Sequence, residues 1–175
     1  PNSVRKQVHR DWLLLRPRED WTVAGRTFKG GSLLAARFDD FLRGERRIDV
    51  LFEPTPSRSL VDVDGTRGRL VVTLLDDVKS RVMVFVPSAQ GWQSREVQGL
   101  PRFGTATVQP FEAVESNDAW VHTADFLTPP QLLLLPGDAA PQVVKSTPAF
   151  FDASKHEVQQ HFATSKDGTR VPYFL

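Results

Sequence analysis

The stretch Gly68–Ser88, GRLVVTLLDDVKSRVMVFVPS, holds two runs dense in Val and Leu on either side of an Asp-Asp pair. Branched and apolar residues suit strands. Asp76-Asp77 reads as a turn, because an Asp side chain hydrogen-bonds its own nearby backbone. Strands joined by so short a link are antiparallel neighbours, since a parallel crossover needs a dozen or more residues. The reading extends outward. SLVDVDGT (Ser59–Thr66) precedes the pair and SREVQGLP (Ser94–Pro101) follows it, so four short strands lie in succession.

The same set recurs on both sides. Upstream come RDWLLLRPRED (Arg10–Asp20), GGSLLAARFDDF (Gly30–Phe41) and RRIDVLFEP (Arg46–Pro54). Downstream come TATVQPFEA (Thr105–Ala113), DAWVHTADF (Asp118–Phe126), PPQLLLLPG (Pro129–Gly137) and PQVVKS (Pro141–Ser146). The third strand of each set starts near Ser32, Ser80 and Pro130, and the second near Asp11, Arg69 and Ala119. A repeat of four antiparallel strands every 50 residues or so, at roughly that period, is the signature of a propeller blade. A β-sandwich or barrel without a true repeat is the alternative. The expected fold class is therefore all-β: a partial β-propeller of roughly three four-stranded blades, followed by a β-hairpin. In the first set a long excursion, Asp20–Gly31, joins the second and third strands as a wide hairpin tip or an extended strand pair.

Composition narrows the function classes. The net charge of +1 gives no reason to expect a polyanionic partner, and no nucleic acid or membrane partner is expected. Cysteine is absent, which excludes a disulfide framework and a Cys-based metal site. The longest apolar runs, LVVTLL and LLLLP, are too short to span a bilayer. PNSVRKQVHR has no apolar signal core, and the compartment expected is the cytoplasm, with the periplasm as alternative. The first residue is Pro1 rather than Met, which fits a piece of a longer chain.

Catalytic patterns are sparse. The Gly-x-Ser-x-Gly elbow is missing, and Ser32 in GGSLL opens a strand and reads as a turn residue. The four histidines, His9, His122, His156 and His161, show no converging ligand spacing, so no metal site is expected. The carboxylate pairs Glu19-Asp20, Asp39-Asp40 and Asp76-Asp77 read as strand-end turns rather than calcium ligands or an acid–base pair. Arg43–Arg47, RGERR, reads as a solvated loop. Trp12, Trp21, Trp92 and Trp120 read first as core packing and second as a stacking platform. No cofactor is expected, because no Gly-rich phosphate loop is present.

The C-terminal HEVQQHFATSKDGTRVPYFL reads as a strand (His156–Thr164), a turn (Ser165–Gly168) and a returning strand (Thr169–Leu175). Asp167-Gly168 supplies the left-handed turn position. The apolar end, Pro172–Leu175, has nothing after it to pack against, which again suggests a cut chain.

Several stretches together resemble the prolyl oligopeptidase family of serine peptidases, particularly its bacterial branch. The closest is VQQHFATSKDGTRVPYF (Val158–Phe174), similar to the segment that opens the family's peptidase domain after the propeller. VLFEPTPSRSL (Val50–Leu60), LLDDVKSRV (Leu74–Val82) and DFLTPPQLLL (Asp125–Leu134) are similar to late propeller blades, and PAFFDAS (Pro148–Ser154) to the connector. The resemblance implies a parent enzyme in which a seven-bladed propeller caps an α/β-hydrolase domain. The parent would cut short peptides after proline with a Ser-Asp-His triad, and the propeller would restrict access. No triad residue falls within this chain, so no catalytic residue is expected and the chain alone should be inactive. The domains implied are blades over 1–140, a connector over 141–156, and over 157–175 the first hairpin of a truncated peptidase domain.

On this resemblance the first strand of each repeat lines the central channel. Ser59–Asp64 and Thr105–Gln109 are the lining segments, with Asp62, Asp64 and Gln109 as tunnel-facing candidates. The partners implied are an oligopeptide substrate, the missing peptidase domain and the remaining blades. Three blades leave two open faces, so the isolated chain should self-associate. The competing reading is a stand-alone propeller-like module that binds peptides or proteins. A third, a carbohydrate- or nucleic-acid-binding β protein, is suggested only by the tryptophans and the Arg run. The terminal hairpin favours the peptidase reading, since a self-contained module has no use for it.

Overall fold

The computed structural model describes residues 3–175 and consists of three four-stranded antiparallel sheets followed by a hairpin. The first sheet contains β1 (Val4–His9), β2 (Trp12–Pro17), β5 (Leu33–Arg37) and β6 (Asp49–Phe52), paired in that order. A small hairpin, β3 (Trp21–Val23) with β4 (Arg26–Phe28), and a short helix, α1 (Phe38–Leu42), are inserted into it. The second sheet runs β7 (Arg58–Gly65), β8 (Leu70–Asp76), β9 (Lys79–Ser88), β10 (Gly91–Glu96). The third runs β11 (Gly104–Pro110), β12 (Ala119–Asp125), β13 (Gln131–Leu135), β14 (Gln142–Ser146). Each sheet is thus a meander in chain order, as expected of a blade, and the partial-propeller fold holds.

The opening stretch forms as its residue types dictate. β8 and β9 pair from Leu70↔Phe85 to Asp76↔Lys79. Asp77 and Val78 both take positive φ, 46° and 62°, in a two-residue turn whose twist matches that of the strands it joins. Alternation then sends successive side chains to opposite faces. Val71, Val82 and Val84 pack against Ala106, Val108, Ala119, Val121, Leu133 and Leu135 of the third sheet. Leu70, Val72, Leu74 and Phe85 pack the other way, against Leu14, Leu33, Ala35 and Phe52 of the first. The central strands β8 and β9 are therefore packed on both faces over much of their length, which is why their sequence is so rich in Val and Leu. Each such side chain contributes about 1.5–3 kcal/mol by leaving water.

The outer face of the first sheet differs from expectation. Leu13, Leu15, Leu34 and Ala36 point away from the second sheet and are buried all the same. Phe28 of the β3–β4 hairpin lies in the same cluster, and Trp21, Val23, Phe38 and Phe41 pack on it. The chain thus covers this face itself, and the bare blade face lies on the far side of the third sheet.

Boundaries moved in three places. β1 begins at Val4, ahead of the first strand found in the sequence repeat. The third sheet continues through β14 to Ser146, past position 140. Asp39 and Asp40 occupy the first turn of α1 rather than a strand-end turn, placing acidic groups at its amino end.

The terminal hairpin pairs β15 (Gln160–Thr164) with β16 (Arg170–Phe174). Residues 156–159 precede the strand instead of starting it. Gly168 has φ +86°, and its N–H donates to the Ser165 carbonyl at 3.0 Å. The hairpin is not isolated. Gln160 donates to the Asp77 carbonyl at 2.8 Å and accepts from Lys79 Nζ at 2.6 Å. Phe174 sits against Phe103 and Phe126, with centroids 5.8 and 5.2 Å apart. Phe174 therefore finds packing beside the sheets, whereas Tyr173 and Leu175 stay exposed.

Candidate functional site

The first strands of the sheets, β1, β7 and β11, carry the polar wall. β11 lies against β7, β8 and β9. A cavity of about 330 Å³ between β1 and β7 is bordered by Arg5, Lys6, Gln7, Arg16 and Val63. On β1 only Val4 is buried, while Arg5, Lys6, Gln7 and Val8 are exposed.

Simple alternation would put Leu60, Asp62 and Asp64 on one face of β7. A bulge separates them: the register passes from Leu60↔Leu74 directly to Asp62↔Thr73, leaving Val61 as the extra residue. Leu60 then packs with the core shared with the first sheet. Asp64 is level with Val71, on the face toward the third sheet.

Asp62 and Asp64 are thus brought together. Asp62 is exposed and accepts the Val63 N–H at 2.8 Å. Asp64 is half-buried, and its Oδ2 is buried without a hydrogen-bond partner among the described residues. Burial first, and repulsion from Asp62 second, push its pKa up to about 6. Arg16 reaches across from the first sheet and donates to the Val61 carbonyl at 3.2 Å. Burial lowers the Arg16 pKa, Asp62 opposes that, and Arg5 adds to it.

Gln109 does not join this pair. On β11, Ala106 and Val108 are buried toward the second sheet, while Thr105, Thr107 and Gln109 point out. The far face of the third sheet also holds a cavity of about 320 Å³ bordered by Thr105, Thr107, His122, Leu132 and Lys145.

The wall is therefore basic on the first sheet and acidic on the second. Arg5 and Lys6 lie on β1, which the sequence repeat does not include, and Arg16 lies on β2, where nothing in composition shows that its side chain reaches Val61 of the neighbouring sheet. For β1 the signal was VRKQVH itself, two valines around a charged centre.

The histidines stay apart. His9 packs its ring against Gly65, where an added Cβ would come within 2.1 Å of Nδ1. Burial and then Arg10 lower its pKa. His161 Nε2 meets Gln159 Oε1 at 3.2 Å and its ring stacks on Tyr173. His156 lies edge-on to Phe151. Among the described residues no serine hydroxyl hydrogen-bonds a histidine, and no cluster of metal-ligating side chains occurs.

No family model matches the chain. The uncharacterized peptidase y4nA of Sinorhizobium fredii is 37% identical over 170 residues, covering 94% of this chain and 22% of that protein. A post-proline cleaving enzyme from Rickettsia typhi superposes with a TM-score of 0.82 at 24% identity, covering 99% of this chain and 26% of that one. A structure from a study of two prolyl endopeptidases superposes with a TM-score of 0.71 at 23% identity, over 98% of this chain and 24% of its own. In sequence the chain is similar to a protein named as a peptidase, and in fold to prolyl endopeptidases. The prolyl oligopeptidase likeness takes in all three sheets and the terminal hairpin, given that coverage. The chain spans about a quarter of the length of these relatives.

Proposed function

We propose that this chain forms late propeller blades of a serine oligopeptidase that hydrolyses short peptides after proline. In this reading its part is to restrict access to the active site, and it carries no catalytic group of its own. The observation that carries the proposal is the superposition, TM-score 0.82, on an enzyme described as post-proline cleaving. The relative named as a peptidase supports it. So does the polar, charge-divided wall of first strands, which suits the passage of a solvated peptide backbone. Residues 4–146 would be blade, the segment to about 156 connector, and β15–β16 the opening hairpin of the peptidase domain. The hairpin's bonds to Asp77 and Lys79 would then belong to the contact between the two domains. Cytoplasmic location is part of the proposal.

The test is turnover of a chromogenic peptide with proline before the scissile bond. The purified chain should show none, and the longer protein that contains it should cleave short peptides but leave folded proteins intact. Turnover by the chain alone sinks the claim that it is non-catalytic. Failure of the longer protein to cut after proline sinks the substrate assignment.

A further inference from the structure

A second cavity, of about 400 Å³, opens between the first and second sheets. It lies at the strand ends remote from the β15–β16 hairpin. The hairpin touches Asp77 and Lys79 at one end of β8 and β9, whereas the cavity is bordered by Gly68, Arg69 and Pro87 to Ala89 at the other. Over the length of β8 that separation is roughly 20 Å.

Its walls combine Arg10, Arg37, Arg67 and Arg69 with Trp12 and Trp92, and Asp11 is the one carboxylate. The arginines are not equivalent. Arg69 is buried and donates to the carbonyls of Asn117 and Gly137. Arg10 donates to the Val114 carbonyl. Arg37 lies 3.3 Å from the Asp11 carboxylate and 5.2 Å over the Trp12 ring. Arg67 has no side-chain partner among the described residues; only its backbone N–H is engaged, with Ser116. Trp12 and Trp92 meet at 4.7 Å with their planes 59° apart, forming an apolar floor beside these cations.

We infer that this cavity binds the carboxylate at the end of a peptide, with the last side chain resting on the tryptophan pair. A guanidinium offers parallel N–H groups that match the two oxygens of a carboxylate. Arg10 and Arg69 keep their charge but spend N–H groups on backbone carbonyls, and Arg37 faces Asp11, which leaves the Arg67 guanidinium as the fork with its N–H groups free among the described residues, enough for one carboxylate. The adjoining tryptophans suit an apolar group attached directly to that charge. The volume is that of a small-ligand site. The inference rests on the reading that the parent handles peptides. It places a carboxylate-recognising subsite away from the peptidase-facing end, where it would hold one end of an entering or departing peptide.

The test is fluorescence anisotropy of the purified chain with three fluorescein-labelled pentapeptides. One ends in Ala-Phe with a free carboxylate, the second is its C-terminal amide, and the third is an amide whose last residue is Glu. The free acid should bind at least tenfold tighter than the amide. Arg67→Ala should abolish that preference without shifting the melting temperature, because the Arg67 side chain has no partner to lose, and Arg37→Gln should reduce it. Tight binding of the Glu amide also supports the site, with a side chain as the source of the carboxylate. Equal binding of acid and amide, or a preference that survives Arg67→Ala, overturns the inference, as does tighter binding of adenosine monophosphate than of any peptide. None of these readouts needs hydrolysis. Acid-selective binding without post-proline cleavage by the longer protein would leave the site standing and sink the proposed function, and the reverse pattern would do the opposite.

Discussion

Arg69 is the residue whose loss should be felt most. It leads into β8, is only 2% exposed, and donates to two carbonyls of the third sheet's loops, Asn117 and Gly137. Around it Thr66 Oγ1 and Gly68 N–H both donate to Asn117 Oδ1, at 3.2 and 2.8 Å, and Gly137 N–H donates to Asp118 Oδ1 at 2.9 Å. Arg69→Met keeps the apolar stem and removes the guanidinium. Hydrogen bonds from a charged donor contribute roughly 1.5–3 kcal/mol each; the Asn117 carbonyl loses that bond, while the Gly137 carbonyl keeps only the long 3.5 Å contact from Arg95. Removing a buried charge returns part of its desolvation cost. The net loss should be about 3 kcal/mol, a large fraction of a domain's stability. At 2–4 °C per kcal/mol for a chain of this size, the melting temperature should fall by roughly 6–12 °C. Urea unfolding followed by tryptophan fluorescence measures it directly. Arg95→Met is the control. Arg95 lies 3.5 Å from Asp138, whose side chain is 93% exposed, so its loss should cost less than about 1 kcal/mol. If Arg69→Met costs no more than Arg95→Met, the link between the second and third sheets does not depend on this arginine and the reasoning fails.

Two further outcomes are expected. The Asp64 pKa lies near 6 in the folded chain against an ordinary 3.8, so the folded state favours its protonated form. Its contribution to stability is therefore full below about pH 4 and is lost as pH rises through about 6. Asp64→Asn should remove that slope and raise stability at pH 7 by on the order of 1 kcal/mol, discounted for partial exposure; unfolding curves at pH 4.5 and 7.5 with an unchanged slope would contradict this. The isolated chain should also self-associate through the uncovered face of the third sheet, around Thr107, His122 and Leu132. Leu132→Lys should reduce the mass seen by light scattering at high concentration, and a wild-type chain that stays monomeric would refute the idea.

What the sequence disclosed depended on how densely apolar each strand is. The repeat spacing put third strands near Ser32, Ser80 and Pro130, and they begin at Leu33, Lys79 and Gln131. These central strands bury at least one face, so their composition is unambiguous. β1 escaped notice because it is an edge strand with Arg5, Lys6 and Gln7 exposed, and nothing in VRKQVH demands a core. The excursion Asp20–Gly31 was seen, but not that Trp21 and Phe28 would turn back onto Leu13 and Leu34, because that contact is tertiary. In the site, Asp62 and Asp64 emerged together, but the bulge at Val61 that sorts them from Leu60 leaves no mark in composition. Gln109 shows the converse: its strand was found, but its side chain points to the outer face. The cavity between Trp12 and Trp92 joins residues far apart in the chain, and no local pattern announces it.

The bond from Arg10 to the Val114 carbonyl links the first sheet to the third and bypasses the second. Packing already joins the first sheet to the second and the second to the third. The three sheets are therefore triangulated at that rim rather than strung in series. A series of plates can flex at each joint independently, but a triangle cannot open one side without straining another. Packing sets the curvature of the arc, and the bond at the loop tips, at about 1 kcal/mol, braces it at this rim; the Trp12–Trp92 cavity lies along one braced side of that triangle, between the first and second sheets.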